Sequence, residues 1–402
     1  MLQRIIHRLF HKRHYWRIVS FDEIAELYTS RLLTVFAINI VNLFAAVYLY
    51  KLGYSIEFIV AVYGGFYLLK VPYSILAAKY AAHFGPKHGI LLASIVRIPS
   101  LIAFALVPEF GVWAVLAFGL FQQLSSALYD LCYLIDFSKV KNSLHAGKEI
   151  GTMQIIEKTA KVVSPLLGGI IASAYSPRVT IIVACVLFVI SAWPLFRTIE
   201  PTLTRNKLRI AGVPWRLAIR SLVSETVVGF DFVTSGMAWT LFITIFIFAS
   251  LGDGTYAALG GLASLGVLSS MAAAWVFGQI VDRHKGGLLL TVGVITNQII
   301  HLFRPFISTT TGVMGINMVN ETATSAYAMP FTRVMFDVAD ASGFRITYMM
   351  FIEMSVNFGA ALACAVLLLG INLFGVQGGL TTLFFVAAIY ESVLLLVRRL
   401  AK

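Results

Sequence analysis

Residues 255–287 read TYAALGGLASLGVLSSMAAAWVFGQIVDRHKGG. From Thr255 to Val281 there is no charged side chain, and then Asp282, Arg283, His284 and Lys285 follow without a break. A continuous apolar run of this length exceeds the roughly 20 residues that carry a helix across a bilayer. It is also too long for a strand or an ordinary buried helix. The abrupt change to charge marks a membrane edge.

Composition extends this reading to the whole chain. Of 402 residues, 59% are hydrophobic and 12% charged, where soluble proteins carry about 25% charge and 45–50% apolar residues. That leaves too little polar surface for a water-facing enzyme, and it excludes disorder, collagen and coiled coil. The apolar share suffices for about twelve crossings. Runs of span length fall at 29–50, 56–82, 88–107, 111–134, 150–173, 178–197, 228–251, 255–281, 287–307, 312–335, 345–369 and 378–398. They are continuous and do not alternate in short segments, so a β-barrel is excluded. The expected fold class is an all-α membrane protein of twelve transmembrane helices.

The net charge of +12 would suggest nucleic acid in a soluble protein. Here its distribution matters more. Twenty-four of the 31 Lys and Arg lie in the N-terminal arm, the C-terminus and alternate loops, including the central linker. The opposite loops hold only Lys51 and Arg178, and Lys70, Arg97, Lys158, Lys161 and Arg304 fall inside spans. This asymmetry puts both termini and the linker in the cytoplasm. Residues 1–28 lack the order of a signal peptide. They read as a basic amphipathic segment on the membrane face, with Leu9, Phe10, Tyr15 and Trp16 toward lipid. His7, His11 and His14 share one face of it and read as surface residues. Cys132, Cys185 and Cys364 lie far apart in apolar runs, with no disulfide frame or metal spacing; no metal or cofactor is expected.

A linker at 198–227 separates a half at 29–197 from a half at 228–402, and features recur about 200 residues apart. Ala82-His83-Phe84-Gly85-Pro86-Lys87 follows span two, and Asp282-Arg283-His284-Lys285-Gly286 follows span eight. Asp136 ends span four and Asp337 ends span ten. Ile156-Glu157 matches Ile352-Glu353. Parallel six-helix repeats are one architecture of secondary transporters, with the site between the halves.

On these residues the chain resembles the major facilitator superfamily. Gly278, Asp282, Arg283 and Gly286 look like that family's loop motif. The first copy is degraded, with Ala78, Ala82 and His83 at the motif positions and Gly85 and Lys87 retained; many members keep the first copy better. By this resemblance Asp282 and Arg283 clamp helix ends, with Asp337 as partner, and His83 with Asp136 forms the related inner gate, pH-sensitive through the histidine. Gly151, Ala160, Ser164, Pro165, Gly168 and Gly169 resemble a Gly-rich exporter pattern in span five. They read either as ordinary close packing or as an exporter-type seal.

Ionisable residues at bilayer depth are costly and mark sites. Glu321, beside Asn317 and Asn320 in span ten, is the first candidate for a protonatable group, since the resemblance has spans one, four, seven and ten line the cavity. Gln122 and Gln123 occupy the related part of span four. Glu353, with Asn357 at i+4, and Glu157 read as proton or substrate sites. Glu157 reads equally as the partner of Lys161, and the two glutamates are expected to face each other or the cavity. Asp130 reads as wet or ion-paired. Lys70 and Arg97 either bind an anionic group or pair with an acid such as Asp130. Asn39 and Asn42 bond substrate or a neighbouring helix, and Arg304 is expected to snorkel outward.

No phosphate loop, nucleophile constellation or metal set appears, and Gly252-x-Gly254 lacks the strand and helix of a nucleotide site. The function expected is secondary transport of a small molecule by alternating access, proton-coupled rather than sodium-coupled, with export favoured on the span-five pattern. The expected enzyme status is none. Open alternatives are nutrient uptake, a lipid or lysolipid flippase, and a non-transporting receptor on the same scaffold. The partners are substrate, protons and membrane lipid, without nucleic acid; a monomer in a bacterial cytoplasmic (inner) membrane is expected.

Overall fold

The structure is a computed structural model that describes residues 21–140, 146–192, 208–252, 254–282 and 285–401. Among these residues there is no strand. The described residues of the twelve expected spans fall mainly on helix. Span one is Thr29–Lys51. Spans two to six are Ile56–Phe84, Pro86–Ala105, Val112–Val140, Ala146–Ala174 and Pro177–Ala192. Span seven is Trp215–Ile247, and spans eight to ten are Gly254–Asp282, Gly286–Phe303 and Thr310–Ser342. Eleven and twelve share Arg345–Val397, broken at Gly375, where φ is 71°. Only glycine adopts that backbone readily, so one residue turns the chain back between two antiparallel spans.

Eight helices are long and apolar enough to cross a membrane. Among the described residues three spans miss that standard: five and ten, which carry the polar residues discussed below, and six, whose described helix is apolar but only 16 residues long. Large apolar side chains face outward along the bundle, among them Leu68, Ile182, Val189, Leu288, Leu369 and Ile389. Exposed apolar surface on this scale fits a lipid solvent.

One boundary differs from expectation. The helix of span seven starts at Trp215, so part of the expected 198–227 linker is helical, with Ser221, Ser224 and Glu225 buried. Residues 1–20, and with them most of the basic segment and its histidines, lie outside the described residues.

Spans five and eight run along one another, as do two and eleven. These are the most extensive contacts between the halves, and close approach at five and eight rests on small residues. A Cβ at Gly260 would lie 2.3 Å from the Pro165 carbonyl oxygen, and one at Gly169 would lie 2.5 Å from that of Tyr256. The small-residue stripe of span five therefore performs close packing, with Gly168 against Ile40 of span one. One apolar core mixes both halves, with Ala78, Ala127 and Leu131 beside Leu222, Phe336 and Met350.

Candidate functional site

The seam between the halves holds three charged groupings. In the first, Lys70 of span two sits between two acids. Its Nζ is 2.9 Å from Asp130 Oδ2 in span four and 3.5 Å from Glu353 Oε2 in span eleven. Asp130 belongs to the same half as Lys70, and Glu353 to the other. Asn357, one turn on, donates to the Glu353 carbonyl at 2.6 Å and lies 3.5 Å from Oε2. A buried ammonium needs such partners, because desolvation of an unpaired charge costs several kcal/mol.

In the second, Arg31 Nε donates to Glu157 Oε1 at 2.8 Å, tying span one to span five. The guanidinium also lies over Tyr133, 4.1 Å from its centroid, and 5.3 Å from that of Tyr129. A planar cation can serve a carboxylate at its edge and a ring at its face. The ion-pair partner of Glu157 is thus Arg31 and not Lys161. Glu157 and Glu353, expected to face each other or the cavity, have separate cations, Arg31 and Lys70.

The third grouping crosses the halves again. Lys158 of span five donates to Ser270 of span eight at 2.6 Å and lies 3.9 Å from Glu321 Oε2 in span ten. Glu321 is the more open end, with 38% of its side chain exposed. Farther along, Lys51 donates to the Gly252 carbonyl and lies 4.5 Å from the Tyr256 ring centroid, so the ends of spans one, seven and eight meet.

Other expected residues take quieter places. Asn39 donates to Val35 of its own helix at 2.7 Å, and Asn42 is exposed; the contact of Asn39 is neither a ligand contact nor a bond between helices. Gln122 and Gln123 are buried, and Gln122 accepts from Ser100 at 3.3 Å. Asn317 accepts from Trp239 Nε1 at 2.8 Å. Arg97 is buried and, among the described residues, has no acid within ion-pair distance; it donates to Ser126 at 2.9 Å and sits 5.5 Å from the Phe188 centroid. Asp337 lies 3.8 Å from Arg333, a turn back on its own helix. Arg333 also donates to the Val281 carbonyl at 2.8 Å and so helps to hold the end of span eight. Asp282 closes that helix, but its side chain and Arg283 lie outside the described residues. Asp136 is buried, whereas His83 is exposed with its ring edge-on to Phe84.

Arg304 corrects the sequence expectation most clearly. It does not snorkel, being 0% exposed. It donates to His301 Nδ1 at 2.9 Å and to Asn320 at 3.0 Å, over Trp239 and Phe384. With it come Asp231, Asn297, His301 and Glu391, all buried. Sequence reasoning passed over Asp231, His301 and Glu391. They lie inside expected spans seven, nine and twelve, so the criterion that singled out Glu321 applies equally to them.

Comparison with known proteins agrees with this architecture. No curated protein matches the sequence. Among solved structures, a POT family transporter in complex with 5-aminolevulinic acid superposes with a TM-score of 0.72 at 10% identity, over 94% of this chain and 96% of that one. A bacterial homologue of the iron transporter ferroportin gives 0.68 at 12%, over 93% and 98%. The E. coli fucose:proton symporter gives 0.65 at 13%, over 94% and 98%. At these identities the likeness is one of fold. A model of the Major Facilitator Superfamily matches residues 27–364, and this chain, an integral multi-pass membrane protein, belongs to that superfamily of transporters.

Proposed function

We propose that this protein is a proton-coupled secondary transporter, moving a small molecule by rocking of the halves 29–197 and 228–402 about the seam. The observation that carries the reading is Lys70, shared between Asp130 of its own half and Glu353 of the other. A cation so placed can stay with Asp130 when the halves part, while Glu353 loses its counter-charge. A carboxylate that alternates between paired and unpaired surroundings changes its proton affinity with conformation, which is the coupling a proton-driven carrier requires. Glu321, half-exposed and loosely held by Lys158, offers a second protonatable group at the same seam.

The protein's orientation, with both termini cytoplasmic, follows from the basic loops. The span-five pattern favours export, although its glycines are occupied with packing against spans one and eight. The test is a reconstituted vesicle under an imposed pH gradient, with candidate substrates first selected by thermal stabilisation of the purified protein. Substrate movement driven by the gradient, lost in Glu353→Gln or Glu321→Gln, supports the reading. Movement indifferent to the gradient and to both substitutions refutes the coupling.

A further inference from the structure

A polar cluster in the C-terminal half, apart from the seam, has more negative than positive charge. Asp231 ends the regular α-helical part of span seven, just before a wide π turn at Phe232–Ala238. His301 sits at the end of span nine, and Arg304 opens a 3-10 turn there. Glu391 opens the 3-10 turn that ends span twelve. Two of these are 3-10 turns of the kind common at helix ends, while the π turn next to Asp231 is of the rarer kind that gathers at functional positions.

The hydrogen bonds fix where protons sit. An arginine only donates, so His301 Nδ1 accepts from Arg304 at 2.9 Å. The proton of the neutral ring is then on Nε2, which faces Asp231 Oδ1 at 3.1 Å and Glu391 Oε1 at 3.0 Å. Asp231 receives further donors: Ser235 at 2.5 Å, Tyr327 at 2.9 Å and Asn297 at 3.4 Å. It is built as an anion. Glu391 receives Asn297 on Oε1 at 2.6 Å. Its other oxygen, Oε2, is buried with no hydrogen-bond partner, as is Asn297 Oδ1.

Charge follows from these assignments. Arg304 supplies one positive charge against two carboxylates, with His301 neutral. Glu321, next to Asn320 in the chain, has a cation of its own in Lys158, 3.9 Å away. Tyr327 donates as a neutral phenol. One negative charge is left over in a fully buried site, where an uncompensated charge is not tolerated. The ligand atoms of Asp231, His301 and Glu391 lie within 4.8 Å of one another, near enough for a metal ion. A metal on His301 Nε2 would need the lone pair there and would leave Nδ1–H facing the donor Arg304, so the arginine opposes that occupant.

We propose that the Asp231–His301–Glu391 cluster is a proton-binding site whose proton is carried on Glu391. It adds to the proton-coupled reading a second, fully enclosed site. Binding is addition of one proton to the Glu391 carboxylate to give the neutral acid, and release is the reverse. Since every member is buried, exchange with water requires spans seven, nine, ten and twelve to part.

Infrared spectroscopy of the purified, lipid-embedded protein reads the site without any transport measurement, so failure of the transport reading leaves this test standing. A protonated-carboxyl band at neutral pH in the wild type, absent in Glu391→Gln at an unchanged melting temperature, supports the proposal. If Glu391→Gln fails to fold, Glu391→Asp must keep the band at a shifted frequency. No such band in the wild type, or a band unaltered by these substitutions, overturns it. So does saturable stabilisation of the wild type by sodium, manganese or zinc ions that Glu391→Gln abolishes, because the occupant is then a metal cation.

Discussion

Replacing Lys70 by Met tests the tie between the halves. The ammonium stands 2.9 Å from Asp130 and 3.5 Å from Glu353, so the two carboxylate oxygens are at most about 6.4 Å apart. At an effective dielectric of about 20, each leg is worth roughly 5 kcal/mol of attraction before desolvation, and two bare carboxylates at that separation repel by about 2.6 kcal/mol or more. Water reaches Asp130, whose side chain is 37% exposed, but scarcely Glu353 at 9%. The net cost of Lys70→Met is therefore about 3 kcal/mol, at the lower end of the range for breaking a buried pair. Adding Glu353→Gln to Lys70→Met removes the stranded anion and is expected to restore most of the loss, whereas Asp130→Asn restores less. The assay is a double-mutant cycle on the melting of the detergent-solubilised protein. A Lys70→Met variant as stable as the wild type, with no coupling to Glu353→Gln, would refute the shared-cation reasoning.

Four further outcomes are expected. Gly260→Ala brings a Cβ to 2.3 Å from the Pro165 carbonyl and should destabilise the protein by about 1–3 kcal/mol, while Gly261→Ala, with nothing within 4 Å, should melt like the wild type. Arg304→Gln strands the cluster acids and should lower stability by about 3–5 kcal/mol; a melt within 1 °C of wild type would contradict the burial argument. Arg31→Lys keeps the charge but loses the planar stacking over Tyr133, and should show a smaller loss, about 1 kcal/mol, than Arg31→Leu in the same melt. Trp239→Phe removes the donor to Asn317 and should cost about 1 kcal/mol, readable by melting, with Asn317→Leu offsetting much of it in the double variant.

The spans were legible because one physical rule, apolar length against bilayer thickness, acts locally along the chain. Spans five and ten are less apolar, yet their runs still reach span length, and the regular alternation of basic loops supports the count of twelve. Side-chain partners were legible only in kind. That Lys70 wants an acid follows from its depth; that it takes two, one from each half, depends on the crossing of spans two and eleven, which no local pattern encodes. Arg304 shows the limit most plainly. Near the end of a span a long cation can reach water by snorkelling or turn inward to buried acids. Which it does is decided by Asn320 in the next span and by Asp231 and Glu391, far away in sequence. Asp231 was overlooked because it lies close to an expected boundary, and the true helix begins well before it, at Trp215.

The two groups of buried charge differ in a way that bears on mechanism. At the seam, Lys70 and Lys158 each touch partners from the opposite half, so motion between the halves must change their surroundings. In the C-terminal cluster all members come from spans seven, nine, ten and twelve, and the charges stay together if that half moves as a unit. A rigid-body rock therefore exposes the first set and leaves the second closed. Under the proposed coupling, protons at the seam would follow each transport cycle, whereas a proton on Glu391 would leave only when the C-terminal half itself loosens. The π turns of span seven at Phe232–Ala238 and Ile243–Ile247 give that half a place to do so, since a widened turn can return to α geometry by shifting residues along the helix.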